Sequence, residues 1–277
     1  MSTKHIVPPQ QVRQALEATI GQLIEQYNQQ AGAVRSLNAG VDLLPVTGSS
    51  YSGVIEEYHE VQGFILAQKP AHIRVIGQAP VVAKNVFDMV SDGETFRIFI
   101  PTKNKFIVGP AGLERPAKKP IENLRPQHLL DALFWPEIDP RQQLLFEELN
   151  ADAARYYVIT VVRGMSSLEI VRKIWFDRAD LSLARIQLYG PGGRLVSDAR
   201  YADWQPVPAA AGQGEAQTGL RYPRQVWLAR PHDEYQLEVR ITRITLNQEI
   251  SADRFSLEQP PGTELVRVGE GDTETRP

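Results

Sequence analysis

The chain has 277 residues, a net charge of −3 and no cysteine. That length can bury a substantial core, as one large all-β unit or two small ones. The scattered basic residues exclude a nucleic-acid surface, which needs concentrated positive charge, and the missing thiols exclude disulfide frameworks, thiolate catalysis and cysteine zinc sites.

Residues 1–10 form a polar lead ending in Pro8-Pro9, expected to be a flexible tether. No signal peptide is visible in Met1-Ser2-Thr3-Lys4, and no apolar run reaches the roughly 18 residues of a membrane-spanning helix. From Gln11 to about Gln30 the spacing turns helical, with Val12, Leu16, Ile20, Leu23, Ile24 and Tyr27 forming one apolar stripe. After Gly32 the pattern is β, with strands expected near 34–44, 54–67, 71–78, 84–90, 94–100 and 103–108. Turns such as Lys69-Pro70 and Asp92-Gly93 separate them. The short spacings predict antiparallel hairpins, because parallel pairs need long crossovers.

Residues 109–125 are Pro-rich and basic, with Arg115, Lys118 and Lys119. This cluster reads first as a soluble loop; the alternative is that it meets anionic headgroups. A short helix is expected from Pro126 to Trp135, with Pro tolerated in its first turn. Asp139-Pro140 is expected to open another helical turn through Leu149. A second β series follows at 155–163, 167–177, 182–190, 194–203, 221–230 and 234–247. Gly190-Pro191-Gly192-Gly193 reads as a hairpin turn and residues 206–219 as a loop. Residues 11–267 read as one domain, and residues 268–277 as a disordered tail. About twelve antiparallel strands with so few helices cannot be doubly wound. The expected fold is mainly β: a large, curved, incompletely closed antiparallel sheet, a half-barrel, with a helical lid over a hydrophobic cavity.

The residues that carry chemistry do not converge. His5, His59, His72, His128 and His232 show no metal-ligand spacing. His128 and Asp131 could share a helix face, but read better as solvated surface. Gly164-Met165-Ser166-Ser167 lacks the second glycine of a nucleophile elbow. Gly212-Gln213-Gly214 lacks the third of a dinucleotide loop. Glu56-Glu57 would point to opposite faces of a strand, and Glu147-Glu148 reads as solvated helix surface. No catalytic residue, cofactor or metal is expected, and weight shifts to binding.

Three stretches resemble a known family. They are "GFILAQKPAHIRVIGQAPVVAKNVFDMVSDGETFRIFIP", with Lys69-Pro70, Arg74, Asp92-Gly93 and Pro101 at its landmarks; "KIWFDRADLSLARIQLYGPGGRLVSDARYADW"; and "ITLNQEISADRFSLEQPPGTELV". Together they resemble the bacterial outer-membrane lipoprotein carrier superfamily, LolA/LolB-like, over roughly residues 11–268. The resemblance implies a half-barrel with helices over a hydrophobic cavity that binds acyl chains of lipids or lipoproteins. It implies a periplasmic place and, in the acceptor branch, an outer-membrane anchor. The export signal and lipidated cysteine of that branch are not in this chain. The expectation is that such a segment preceded Met1 or Ser2. The protein is expected to act as a monomer.

Strand alternation places Ile73 with Val75, Phe87 with Met89, and Phe96 with Ile98 and Ile100. With Phe64 and Leu66 they are expected to line the cavity. Leu129, Leu130, Leu133 and Phe134 are expected to form the lid, either as a gate or as a permanent plug, with the gate preferred. The competing reading is a sensor or envelope-assembly protein that uses the same fold to bind a protein partner.

Overall fold

The computed structural model describes residues 14–49, 54–57, 60–79, 84–112, 125–150, 154–208 and 220–269. The tether 1–10, the basic cluster around Lys118 and most of the 206–219 loop lie outside them.

Helix α1 spans Ile20–Ala33, starting well after Gln11. Thr19 sets the start. Its Oγ1 accepts from Gln22 N at 3.3 Å, and Gln22 Oε1 accepts from Thr19 N at 2.9 Å, a reciprocal capping box. Residues 14–19 are non-helical. Leu16 N donates to Arg178 O at 2.7 Å, and Leu16 O accepts from Arg178 Nε at 3.3 Å. Leu16 therefore leaves the buried stripe and is exposed. Leu23, Ile24, Tyr27 and Ala31 are the buried face.

The strands are β1 (Ser36–Ser49), β2 (Val54–Glu57), β3 (Val61–Gln68), β4 (His72–Gln78), β5 (Asn85–Ser91), β6 (Thr95–Ile100) and β7 (Lys105–Pro110). After helix α2 (Pro126–Leu133) come β8 (Gln143–Asn150), β9 (Arg155–Arg163), β10 (Glu169–Asp177), β11 (Leu183–Tyr189), β12 (Leu195–Pro206), β13 (Arg221–Arg230), β14 (Tyr235–Leu246) and β15 (Glu264–Arg267). They form one 15-stranded sheet ordered β15-β7-β6-β5-β4-β3-β1-β14-β13-β12-β11-β10-β9-β8, with β2 paired to β1. Two meanders thus join where the first long strand meets the last, β1 against β14. The path ends at β15 and β8 without closing, so the fold is a curved half-barrel, with two α-helices among the described residues.

The structure differs from the sequence reading at three places. The expected strand 54–67 is two strands. The expected helical turn through Leu149 is strand β8, in register from Gln143↔Val162 to Asn150↔Arg155. Good local helix formers were overridden there by pairing with β9 and by two ion pairs, Glu147 with Lys173 at 4.0 Å and Glu148 with Arg178. Glu147 and Glu148 are therefore strand residues, exposed on a sheet edge. Finally, β15 runs parallel to β7, the exception to an otherwise antiparallel ladder, and Val268 N donates to Val108 O at 2.8 Å. The chain thus stays paired at Val268, where the tail was expected to begin.

The segment before β15 reaches that edge by crossing the outer face. Arg74 holds it there, bonded twice to Asp88 (3.0 and 2.7 Å) and donating from Nη1 to Arg254 O at 3.0 Å and Ser256 O at 3.3 Å. Leu257 then covers a small outer cluster with Val90 and Phe106. At the β5–β6 turn, Asp92 Oδ1 accepts from Glu94 N at 2.9 Å and Thr95 N at 2.7 Å. Gly93 takes φ +94°, and a Cβ there would stand 2.5 Å from Ala71 Cβ, so the Asp-Gly pair is required by both geometry and room.

Leu23 is 1% exposed in the face of α1 that covers the sheet. Leu23→Asp would bury an unpaired charge and should cost about 3–5 kcal/mol, read as a large fall in thermal midpoint. An unchanged midpoint would mean that α1 is not docked.

Candidate functional site

The inner face of the sheet and both helices bury one continuous apolar cluster. Helix α2 opens with Pro126, whose missing N–H is harmless in the first turn. Leu129, Leu130 and Leu133 are at most 2% exposed, and Phe134, Trp135 and Ile138 continue the buried run. A helix end buried this deeply leaves carbonyls without intrahelical partners. Five carbonyls at the helix end and in the segment after it, those of Ala132, Leu133, Pro136, Glu137 and Ile138, find side-chain donors. Tyr201 Oη donates to Ala132 O at 3.0 Å and Tyr222 Oη to Leu133 O at 2.7 Å. Tyr27 Oη donates to Pro136 O at 3.0 Å, and Arg172 donates to Pro136 O at 2.6 Å and Glu137 O at 3.1 Å. Asn28 and the Ile138 backbone bond reciprocally, both at 2.8 Å. Burial pushes the phenols of Tyr27, Tyr201 and Tyr222 upward, so all three remain protonated donors.

The residues expected to line a cavity divide by face. Ile73, Val75, Met89, Phe96, Ile98 and Ile100 are buried on the inner face with the helices. Phe87 is partly buried against the same cluster, its ring filling the space a Cβ at Gly77 would need. Phe64 and Leu66 belong to the outer face instead. In the β1–β3 register Phe64 stands opposite Gly40 and Leu66 opposite Asn38, while Ile65 and Ala67 point inward. The bulky Phe64, 41% exposed, lies outside; a Cβ at its inner neighbour Gly63 would stand 2.1 Å from Ile76 O on β4. The expected lid residues Leu129, Leu130, Leu133 and Phe134 are buried in the same apolar cluster.

Room remains beneath α1. The α2 backbone closely approaches β4, β5 and β13, while α1 stands farther from the strands. Under it lies a pocket of about 70 Å³ bounded by Tyr27, Trp135, Phe176, Leu183 and Trp204. Trp135 forms its aromatic floor, stacked on Tyr222 (5.7 Å between centroids), edge-on to Tyr201 (5.6 Å) and tilted to Trp204 (5.5 Å). Gln26, Gln30 and Arg221 stand at the lip. Composition gave no hint of this pocket, because its walls come from α1, the 134–138 segment and the second meander.

His128 is not solvated as expected. Its Nδ1 lies 2.6 Å from Tyr235 Oη, with the rings stacked at 6.1 Å. Burial, then the charges of Arg230 and Arg125, hold its pKa well below the usual histidine value. Asp131 is exposed and accepts from Gln127 Nε2 at 3.2 Å, so the two do not form a pair. Among the described residues no group of acidic or histidine side chains could hold a metal, and no helix is long and apolar enough to cross a membrane.

No protein-family model matches the chain, and no curated protein matches its sequence. Among solved structures it is similar to a DUF1329 family protein from Desulfovibrio piger ATCC 29098, at 12% identity over 84% of this chain and 94% of that one, with a TM-score of 0.51. It is also similar to a LolA superfamily protein from Nitrosomonas europaea (12% identity, 87% and 99% covered, TM-score 0.46). A third is described as an outer membrane lipoprotein-sorting protein domain, from Vibrio parahaemolyticus (9% identity, 84% and 95% covered, TM-score 0.49). The likeness to the Desulfovibrio piger protein is one of fold alone.

Two outcomes follow from this packing. Leu130→Ala and Phe134→Ala should each cost about 2–5 kcal/mol, as core truncations do, measured by denaturant unfolding; a cost near zero would make the segment a loose cover. The unfolded chain takes up a proton at His128 near pH 6.5, while the folded protein resists it to much lower pH. Stability should therefore fall as pH drops below about 6.5. His128→Gln should flatten that part of the stability profile, and an unaltered slope would place the cause elsewhere.

Proposed function

We propose that the protein binds acyl chains of lipids or lipoproteins without catalysis. The observation that supports this is an open sheet whose apolar inner face is covered, among the described residues, by the two helices and the 134–138 segment, with an aromatic pocket left under α1. An apolar chain entering that interior gains about 0.8 kcal/mol per methylene removed from water. The pocket, at about 70 Å³, is well below the roughly 300–1,000 Å³ of a small-molecule site. This conformation is therefore closed, and loading requires the cover to shift. The fold and the quoted motifs are consistent with a role in sorting lipoproteins to or at the outer membrane. On this reading the protein works in the periplasm, anchored to the outer membrane.

A second reading has one observation in its favour. Among the described residues no strand pairs with the outer edge of β8, and Leu145, Phe146 and Leu149 on it are exposed. Such an edge can accept an extended peptide of a protein partner as one more strand, as a sensor or assembly factor would require.

Native mass spectrometry of the protein purified from a bacterial periplasm, followed by solvent extraction, separates the two. Co-purifying lipid, or stoichiometric uptake of added stearate, is the expected result. Protein that stays free of lipid under both conditions, yet binds a peptide in competition with β8 substitutions, would replace the first reading with the second.

A further inference from the structure

We infer that an acyl chain enters between α1 and the β10–β13 side of the sheet, through the pocket over Trp135, with its anionic headgroup held by Arg221. This deepens the acyl-binding reading and rests on it. The contrast between the two helices carries it. The end of α2 is sealed by tyrosine and arginine donors onto buried carbonyls. The flank of α1 over β10–β13 is closed by two glutamines one turn apart. Gln26 Nε2 donates to Leu181 O at 3.4 Å and Gln30 Nε2 to Arg221 O at 2.5 Å. Both bonds are solvent-exposed, so water can replace them at little cost. The opposite flank keeps its tie through Tyr27 and Asn28 to Pro136 and Ile138, which supplies a pivot.

The pocket lies where those two clips open. Its walls are apolar and aromatic, suited to the methyl end of a chain rather than to a polar head. The charge at its lip is of one kind. Among the described residues Arg221 makes a single side-chain hydrogen bond, Nη2 to Trp204 O at 2.7 Å, and no carboxylate pairs with it. Its remaining N–H groups suit a carboxylate or phosphate oxygen. The site therefore fits a chain with an anionic head, tail inward and head at the surface.

The test uses tryptophan quenching by 9,10-dibromostearate and by the matching dibrominated alcohol, in Trp175→Phe/Trp227→Phe protein. The remaining indoles, Trp135 and Trp204, are those of the pocket. Dibromostearate should quench them, and Arg221→Gln should weaken the acid by about tenfold while leaving the alcohol unchanged. Ser182→Phe, which fills the pocket from the β10–β11 turn, should abolish the quenching. Gln26→Ala/Gln30→Ala should speed uptake several-fold, and this holds as a test even where Ser182→Phe fails to fold. If stearate binds but the glutamine pair, Ser182→Phe and Arg221→Gln all leave uptake and quenching as they were, the portal is wrong and the acyl-binding reading survives. If neither the acid nor the alcohol binds the parent protein, the acyl-binding reading itself falls.

Discussion

The structure depends on the side-chain donors that meet the carbonyls of Ala132, Leu133, Pro136, Glu137 and Ile138. A half-barrel has one apolar face to cover. Covering it with a second sheet would let backbone pair with backbone. Covering it with a short helix and an irregular segment leaves main-chain oxygens in the interior, each costing free energy unless it finds a donor. Tyr201 and Tyr222 reach up from β12 and β13, Arg172 from β10, and Tyr27 and Asn28 down from α1. The donors come from both sides of the segment, so it is fixed between the sheet and α1 rather than resting on one of them. That arrangement also explains a charged Arg172 on the inner face. Its guanidinium serves carbonyls, not a carboxylate, and two hydrogen bonds offset part of the cost of its burial.

The same arrangement creates an asymmetry with consequences for function. Where donors and carbonyls match, on the α2 side, the interior is dense and the apolar side chains are nearly fully buried. Where α1 bridges to the turn after β10 and the start of β13, large aromatic rings hold the helix off the strands and leave a pocket. For the proposed acyl-binding role a container needs one wall that stays and one that gives, and the two helices would divide those tasks as follows. The tyrosine-capped segment stays. The glutamine-clipped flank, whose bonds water can replace, is the wall able to give.

The β wings were legible in the sequence because alternation and turn chemistry agree there. Asp92-Gly93, the Gly190–Gly193 turn and the Ile73/Val75 and Phe96/Ile98/Ile100 sets all stand where their periodicity put them. The start of α1 was also written locally, in Thr19 and Gln22, but a longer apolar stripe obscured it. Other features had no local signal. Leu144 to Glu148 carries a helical composition, and only β9 and two basic side chains on β10 and beyond it make it a strand. Phe64 is more apolar than Ala67, yet Ile65 and Ala67 hold the inner positions of β3, so register and not hydrophobicity decides its face. The tyrosine caps are the least legible of all. Tyr201 and Tyr222 read as ordinary strand aromatics, and their carbonyl partners lie 69 and 89 residues away.

Native-state hydrogen exchange of the amides from Leu130 to Phe134 tests the central claim most directly, because it reports whether α2 is permanent core or a cover that opens by itself. These amides should exchange only through global unfolding, with the same free energy and denaturant dependence as the central strands β1 and β14. Exchange at a distinctly lower free energy, through an opening confined to α2 while β1 and β14 stay protected, would contradict the account.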